Sequence, residues 1–170
     1  MKVLGVDPGT AVTGFGVVTA APARPGRLIE CGVLRSRTAD TLPNRLRAIH
    51  DGVCELLSRH QPHIVAVEGV FYGSNARSTV ILGHTRGVIL LAAAESGVPV
   101  VEYSPAMIKK AVTGRGAALK PQVGYMVAQL LRLKSPPRPS DAADGVAVAL
   151  THLLIASRQV TFFRQVTGAR

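Results

Sequence analysis

Val3-Leu4-Gly5-Val6-Asp7, then Pro8-Gly9-Thr10, then Gly14-Phe15-Gly16-Val17-Val18-Thr19 is the stretch that decides the fold. Two β-prone runs on either side of a Pro-Gly turn read as strands, and a third run from about Leu28 to Leu34 extends them into a meander. Working outward, a loop holding Asp40 and Pro43 leads into a helix. Its apolar Leu46, Ile49, Val53 and Leu57 recur at three- and four-residue steps, and Pro62 ends it. Ile64-Val65-Ala66-Val67 is a continuous apolar run between Pro62 and Gly69, as expected of a parallel strand covered on both faces. A helix from about Asn75 to Ser96, a strand from Val98 to Tyr103, and helices near Pro105 to Val112 and Leu119 to Leu131 follow. Ser135-Pro136-Pro137-Arg138-Pro139 reads as a stiff extended connector, with Ser140 as N-cap of a last helix to about Ser157. This order predicts an α/β protein with a mixed five-stranded sheet and helices on both faces. Residues 1–157 form one domain in this reading, and residues 158–170, which lack periodicity, form a flexible C-terminal tail.

A chain of 170 residues is long enough to bury a core without disulfides or structural metals. Its longest apolar run, around Val88 to Ala94, falls far short of the roughly 20 residues a membrane span requires. Asp7 arrives too early for a signal-peptide core, and Cys31 and Cys54 show no ligand or disulfide framework, so a reducing cytoplasm is expected. The formal net charge is +10, and no acid occurs between Glu102 and Asp141. That stretch carries Lys109, Lys110, Arg115, Lys120, Arg132, Lys134 and Arg138, a one-signed run suited to a polyanion. A merely solvated basic surface is the competing explanation of the charge.

The acids sit at telling places. Asp7 ends the first strand and Glu68 ends the buried fourth, where α/β sheets bind their ligands. Buried carboxylates are costly, and a purely structural strand end would carry apolar or small residues. Asp141 and Asp144 lie three residues apart on one face of a helix's first turn, a position that also suits simple capping. If that last helix crosses the sheet beside the first and fourth strands, all four carboxylates converge and require cations. An all-oxygen donor set points to Mg²⁺ or Mn²⁺, and two ions roughly 3.5 to 4 Å apart would suit in-line displacement at a phosphate. His50, His60, His63, His84 and His152 show no zinc spacing and are expected to be surface or packing residues.

Four segments, in order and with matching separations, resemble the RuvC family of crossover (Holliday) junction endodeoxyribonucleases. They are Gly5-Val6-Asp7-Pro8-Gly9-Thr10 with Thr13-Gly14-Phe15-Gly16; Ala66-Val67-Glu68-Gly69-Val70-Phe71 with Asn75-Ala76; Ile108-Lys109-Lys110-Ala111-Val112-Thr113-Gly114; and Asp141-Ala142-Ala143-Asp144-Gly145. The resemblance covers roughly Met1 to Ser157 and implies the ribonuclease H-like fold, whose element order the chain already shows. It also implies a homodimer that resolves four-way DNA junctions by paired symmetric nicks, in recombination and repair alongside RuvA and RuvB; hydrolysis by a metal-bound water is expected to leave 5′-phosphate and 3′-hydroxyl ends. Carried over by motif, Asp7, Glu68, Asp141 and Asp144 match the catalytic, metal-holding acids. Lys109 and Lys120 match DNA-contacting bases, Lys120 also as a candidate stabiliser of phosphate charge, and Phe71 matches an aromatic that stacks on a base. Gly69 stands where Gln often follows the catalytic Glu, and Tyr72 adds a second ring. For the dimer face, the helix from Asn75 to Ser96 offers Val80, Gly83, Gly87, Val88 and Leu91, which would equally serve packing inside one monomer.

Three rival readings start from the same residues. Asp-x-Gly-Thr after a strand resembles the phosphate loop of the actin and heat-shock ATPases, but a second such loop and a Gly-Gly adenosine motif are missing. A YqgF-type nuclease shares the first motif and a late aspartate, yet matches the Phe71 and Lys109 segments less well. A non-catalytic DNA-binding module has no use for four converging acids, which repel DNA unless a metal is present.

Overall fold

The computed structural model describes residues 1–22, 24–69 and 76–167, the last ten of these as backbone alone. The element order is β1 (Lys2–Asp7), β2 (Val12–Ala21), β3 (Arg24–Arg35), α1 (Leu42–His60), β4 (Ile64–Glu68), α2 (Ala76–Glu95), β5 (Val100–Tyr103), α3 (Pro105–Thr113), α4 (Lys120–Leu131) and α5 (Ser140–Thr167). The strands form one five-stranded sheet in the order β3-β2-β1-β4-β5. β1 pairs antiparallel with β2 and parallel with β4, and β4 pairs parallel with β5. The mixed α/β sheet expected from the sequence is thus the one observed.

Several boundaries differ from the sequence reading, each for a local reason. Pro43 lies within the first turn of α1 rather than in a loop, because the missing proline N–H costs nothing there. β5 starts at Val100, since the Val98 amide is already committed to the Ala93 carbonyl at 3.0 Å, closing the end of α2. α5 runs on past Ser157 to Thr167, which corrects the expectation that helix ends there. The segment 158–167 has no periodicity, but it also contains no Gly or Pro to break the backbone ladder before Gly168.

The alternation of side chains along the strands sorts the residues by face. Leu4, Val6, Phe15, Val17, Val65 and Val67 turn to one side and pack against Ile49, Val53, Leu56 and Leu57 of α1 and Ile89, Ala92 and Ala93 of α2. Val3, Val18 and Ala66 turn to the other, meeting α3, α4 and the apolar stretch Val146 to Leu150 of α5. By the same parity Asp7 and Glu68 are committed to the α5 side. Val6 and Val67 are register partners, so the two acids follow side by side on neighbouring parallel strands.

Glycine lets α5 press backbone against backbone. A Cβ added at Gly14 would come 1.9 Å from the Asp141 carbonyl oxygen, and one at Gly5 would come 2.3 Å from the Ala149 nitrogen. Neither obstacle is a side chain that can swing away. Gly5→Ala is therefore expected to destabilise the protein by about 3 kcal/mol or more. The check is the shift in urea midpoint at unchanged m-value.

Candidate active site

Asp7 is placed by a turn that the following residues fasten down. The Thr13 hydroxyl, fully buried, donates to the Gly9 carbonyl at 2.7 Å, and the Gly9 amide donates back to it at 3.3 Å. The Ser36 hydroxyl donates to the Thr10 carbonyl, which ties β3 to the same turn. Asp7 pairs in register with Gly14, and it is over Gly14 that the Asp141 backbone lies. The first turn of α5 is thereby delivered to the end of β1. One carboxylate oxygen from each of Asp7, Asp141 and Asp144 lies within 4.8 Å of the others. Glu68 stands outside that triangle but lines the same pocket as Asp7 and Asp144, a cavity of about 140 Å³ whose walls also include Lys109 and Lys120.

Crowding of like charges with partial burial changes the acidity of the group. Asp7 has its pKa pushed up to about 7, first by burial, then by Glu68 and Asp144, with Asp141 adding and Lys120 opposing. Glu68 is raised too, by burial and then by Asp144, against the pull of Lys120 and Lys109. The Lys120 ammonium donates to Asp144 Oδ2 at 2.7 Å, and that hydrogen bond holds its pKa above the usual lysine value. Asp144 is largely covered while the Lys120 side chain is 66% exposed, so the ammonium reaches in from solvent. A pocket of hard oxygen donors with a surplus of negative charge fits one or more divalent cations.

Of the residues nominated from sequence, Asp7, Glu68, Asp144, Lys109 and Lys120 line one pocket, and Asp141 stands beside it. The lysines are walls of the acidic centre itself rather than remote contacts: Lys109 comes from α3 and Lys120 opens α4. Phe71, together with Tyr72 and Asn75, lies outside the described residues. The His152 ring hydrogen-bonds with the Tyr103 hydroxyl at 2.7 Å and His60 meets Glu30 at 2.8 Å; among the described residues no histidine lines the pocket. Arg138 was visible in the basic run but not singled out. It lines a groove of about 600 Å³ that shares Lys120 and Asp144 with the acidic pocket and is walled by Pro136, Pro137 and Pro139. The signal that was available is its position three residues before Asp141 at the end of a stiff proline segment.

A sheet of this order, with four carboxylates gathered where its central parallel strands end, defines a nuclease of the ribonuclease H-like class. The family described as crossover junction endodeoxyribonuclease RuvC matches residues 3–152, and the chain belongs to it. It is similar to the RuvC of Halorhodospira halophila, with 47% identity over 169 residues covering 99% of this chain and 98% of the relative. With the RuvC of Pelotomaculum thermopropionicum the identity is 46% over 152 residues, covering 89% and 92% respectively. Among solved structures, Thermus thermophilus RuvC aligns with a TM-score of 0.85 and 39% identity over 94% of this chain and 97% of that one. The same protein in complex with Holliday junction substrate aligns with a TM-score of 0.84 and 37% identity over 93% and 96%.

The raised acidities carry a sign. Between the ordinary aspartate pKa of 3.8 and about 7, the folded state keeps a proton on Asp7 that the unfolded state has released. The stability contributed by Asp7 is therefore fullest below about pH 4 and is lost as pH rises through 7. With chelator present, the melting temperature should fall between pH 5 and pH 8. Asp7→Asn should flatten that fall, and added divalent cation should raise the wild-type value more at pH 8 than at pH 5. Melting curves at fixed ionic strength test all of this; equal cation stabilisation at both pH values would count against it.

Proposed function

We propose that the protein resolves four-way (Holliday) DNA junctions by paired symmetric nicks, with Asp7, Glu68, Asp141 and Asp144 as the catalytic acids. The observation that carries this reading is the meeting of Asp7, Asp141 and Asp144 within 4.8 Å, beside a pocket that Glu68, Lys109 and Lys120 also line. Two Mg²⁺ ions, for which Mn²⁺ substitutes, would be held by these acids and supply Lewis acidity at the attacking and leaving oxygens of the phosphodiester. The lysines do the rest of the electrostatic work. Lys109 and Lys120 draw the scissile strand against a site that would otherwise repel it, and Lys120 faces charge developing on the phosphate. Arg138, along the contiguous groove, offers the same strand a further cation. Phe71 is assigned, on its motif alone, to stacking on a base at the crossover.

Two-fold related strands call for two-fold related sites, and α2 supplies a face for a homodimer. Val80 and Leu91 are exposed at 59% and 51%, and a Cβ at Gly83 or Gly87 would meet nothing within 4 Å. Val88 does not belong to this face, because it packs against the α1 side of the core. The working place is the cytoplasm, in recombination and repair, with RuvA and RuvB as branch-migration partners. No helix among the described residues is long and apolar enough to cross a membrane.

The deciding assay incubates a synthetic four-way junction and a matched linear duplex with the protein, in Mg²⁺, in Mn²⁺ and in chelator, and maps the cuts. Symmetric nicks confined to the junction and absent with chelator are expected; binding without cleavage in either metal would overturn the reading. Asp7→Asn, Glu68→Gln, Asp141→Asn and Asp144→Asn should each slow nicking by on the order of 100-fold or more while leaving junction binding in place. Lys109→Ala should instead weaken binding and lower the slope of log K against log salt by about 1. Leu91→Glu should shift sedimentation from dimer to monomer.

A further inference from the structure

On the face of the sheet opposite the carboxylate pocket, α1 and the end of α2 bring together a different set of donors. His50 and Cys54 are four residues apart on α1 and so share one face of it, and Glu95 is the last residue of α2. One ligand atom from each lies within 4.8 Å of the others. The Cys54 sulfur is 3.8 Å from both ring nitrogens of His50, and His50 Nε2 is 2.9 Å from Glu95 Oε2.

We infer that His50, Cys54 and Glu95 form a second metal site, of the zinc class, separate from the carboxylate centre. Around a tetrahedral zinc ion, sulfur and imidazole nitrogen stand about 3.5 Å apart, and nitrogen and carboxylate oxygen about 3.3 Å. The sulfur–nitrogen and nitrogen–oxygen distances present thus need adjustment by only a few tenths of an ångström, and the Cys54–Glu95 separation, within 4.8 Å, can close by movement of the half-exposed Glu95 side chain. Asp51 Oδ1, 3.4 Å from His50 Nδ1, occupies the position from which a carboxylate orients a ligating ring and leaves Nε2 for the ion. Solvent exposure at Glu95 leaves the fourth position to water. On binding, Cys54 gives up its thiol proton to solvent as the sulfur–metal bond forms, and no electrons are exchanged. The proton is held more firmly than in an ordinary thiol, by burial and then by Glu95 and Asp51, and a dication offsets those two carboxylates.

Thiolate and imidazole prefer zinc-class ions, whereas the all-oxygen pocket prefers Mg²⁺ or Mn²⁺, so the two sites differ in ligand chemistry. The expectation that no histidine is a ligand followed from the want of paired His or Cys spacing; here one helix contributes one of each and the third donor comes from 41 residues beyond Cys54. The site does not depend on the nuclease reading. Occupancy would tie α1 to α2.

Cobalt(II) distinguishes the sites, because only a thiolate ligand gives a sulfur-to-cobalt charge-transfer absorption. The full chain, stripped with chelator and titrated with Co²⁺, is expected to develop that band to one equivalent, with Zn²⁺ abolishing it by displacement. Cys54→Ser should remove the band, His50→Ala and Glu95→Gln should each weaken Co²⁺ binding about tenfold or more, and Cys31→Ser should leave it intact. Circular dichroism confirms the fold of each variant. No band at saturating Co²⁺, a band that survives Cys54→Ser, or binding unchanged in both His50→Ala and Glu95→Gln would overturn the inference.

Discussion

The contact on which the rest of the structure depends is the seating of α5 on the sheet, backbone to backbone. Gly5, Gly14 and Gly16 lie beneath it, and Gly145 answers from the helix, where an added Cβ would come within 2.5 Å of the Phe15 Cα. Ala142, Ala143, Ala147 and Ala149 are buried along the same helix, so small residues on both partners bring the axis down to the strands. Any side chain larger than hydrogen at those glycines would lift α5 and carry Asp141 and Asp144 away from Asp7. The same seating closes the core formed with α3 and α4. Packing and site geometry are one constraint.

That constraint has an electrostatic cost. It gathers acids on the partly buried side of a sheet, where Asp7 ionises only near neutrality and Glu68 resists ionisation as well. Lys120, reaching in from solvent to Asp144, and Lys109 on α3 offset part of the repulsion. The remaining charge is what makes the pocket receptive to divalent cations, and the cations in turn make it receptive to a polyanion. The fold tolerates this crowding of like charge at a site suited to cations, as is common where charge arrives with a ligand.

The two sides of the sheet are specialised. The α5 side carries the carboxylates, the lysines and the groove beside Arg138. The α1 and α2 side carries the apolar cluster around Phe15, the exposed Val80 and Leu91, and the His50, Cys54 and Glu95 cluster. Period-2 alternation in β1 and β4 is what divides them, since adjacent residues such as Val6 and Asp7 are sent to opposite faces.

Much of this is legible in the amino-acid sequence. The runs Val3 to Asp7 and Ile64 to Val67 read as strands because their composition and flanking turns admit little else, and the motif resemblance nominated four acids. Element ends were less legible: β5 lost its first residues to the closing bond of α2, and α5 continued beyond Ser157, because backbone hydrogen bonding rather than side-chain periodicity decides where a ladder stops. Asp7, Glu68, Asp141 and Asp144 were named by the sequence, but their convergence depends on long-range contacts at glycine that local propensity does not encode. The entry of Lys109 and Lys120 into the acidic pocket, the turning inward of Val88, and the arrival of Glu95 beside His50 and Cys54 were likewise decided by tertiary packing. Such juxtapositions join residues far apart in the chain, and only the folded backbone sets the distance between them.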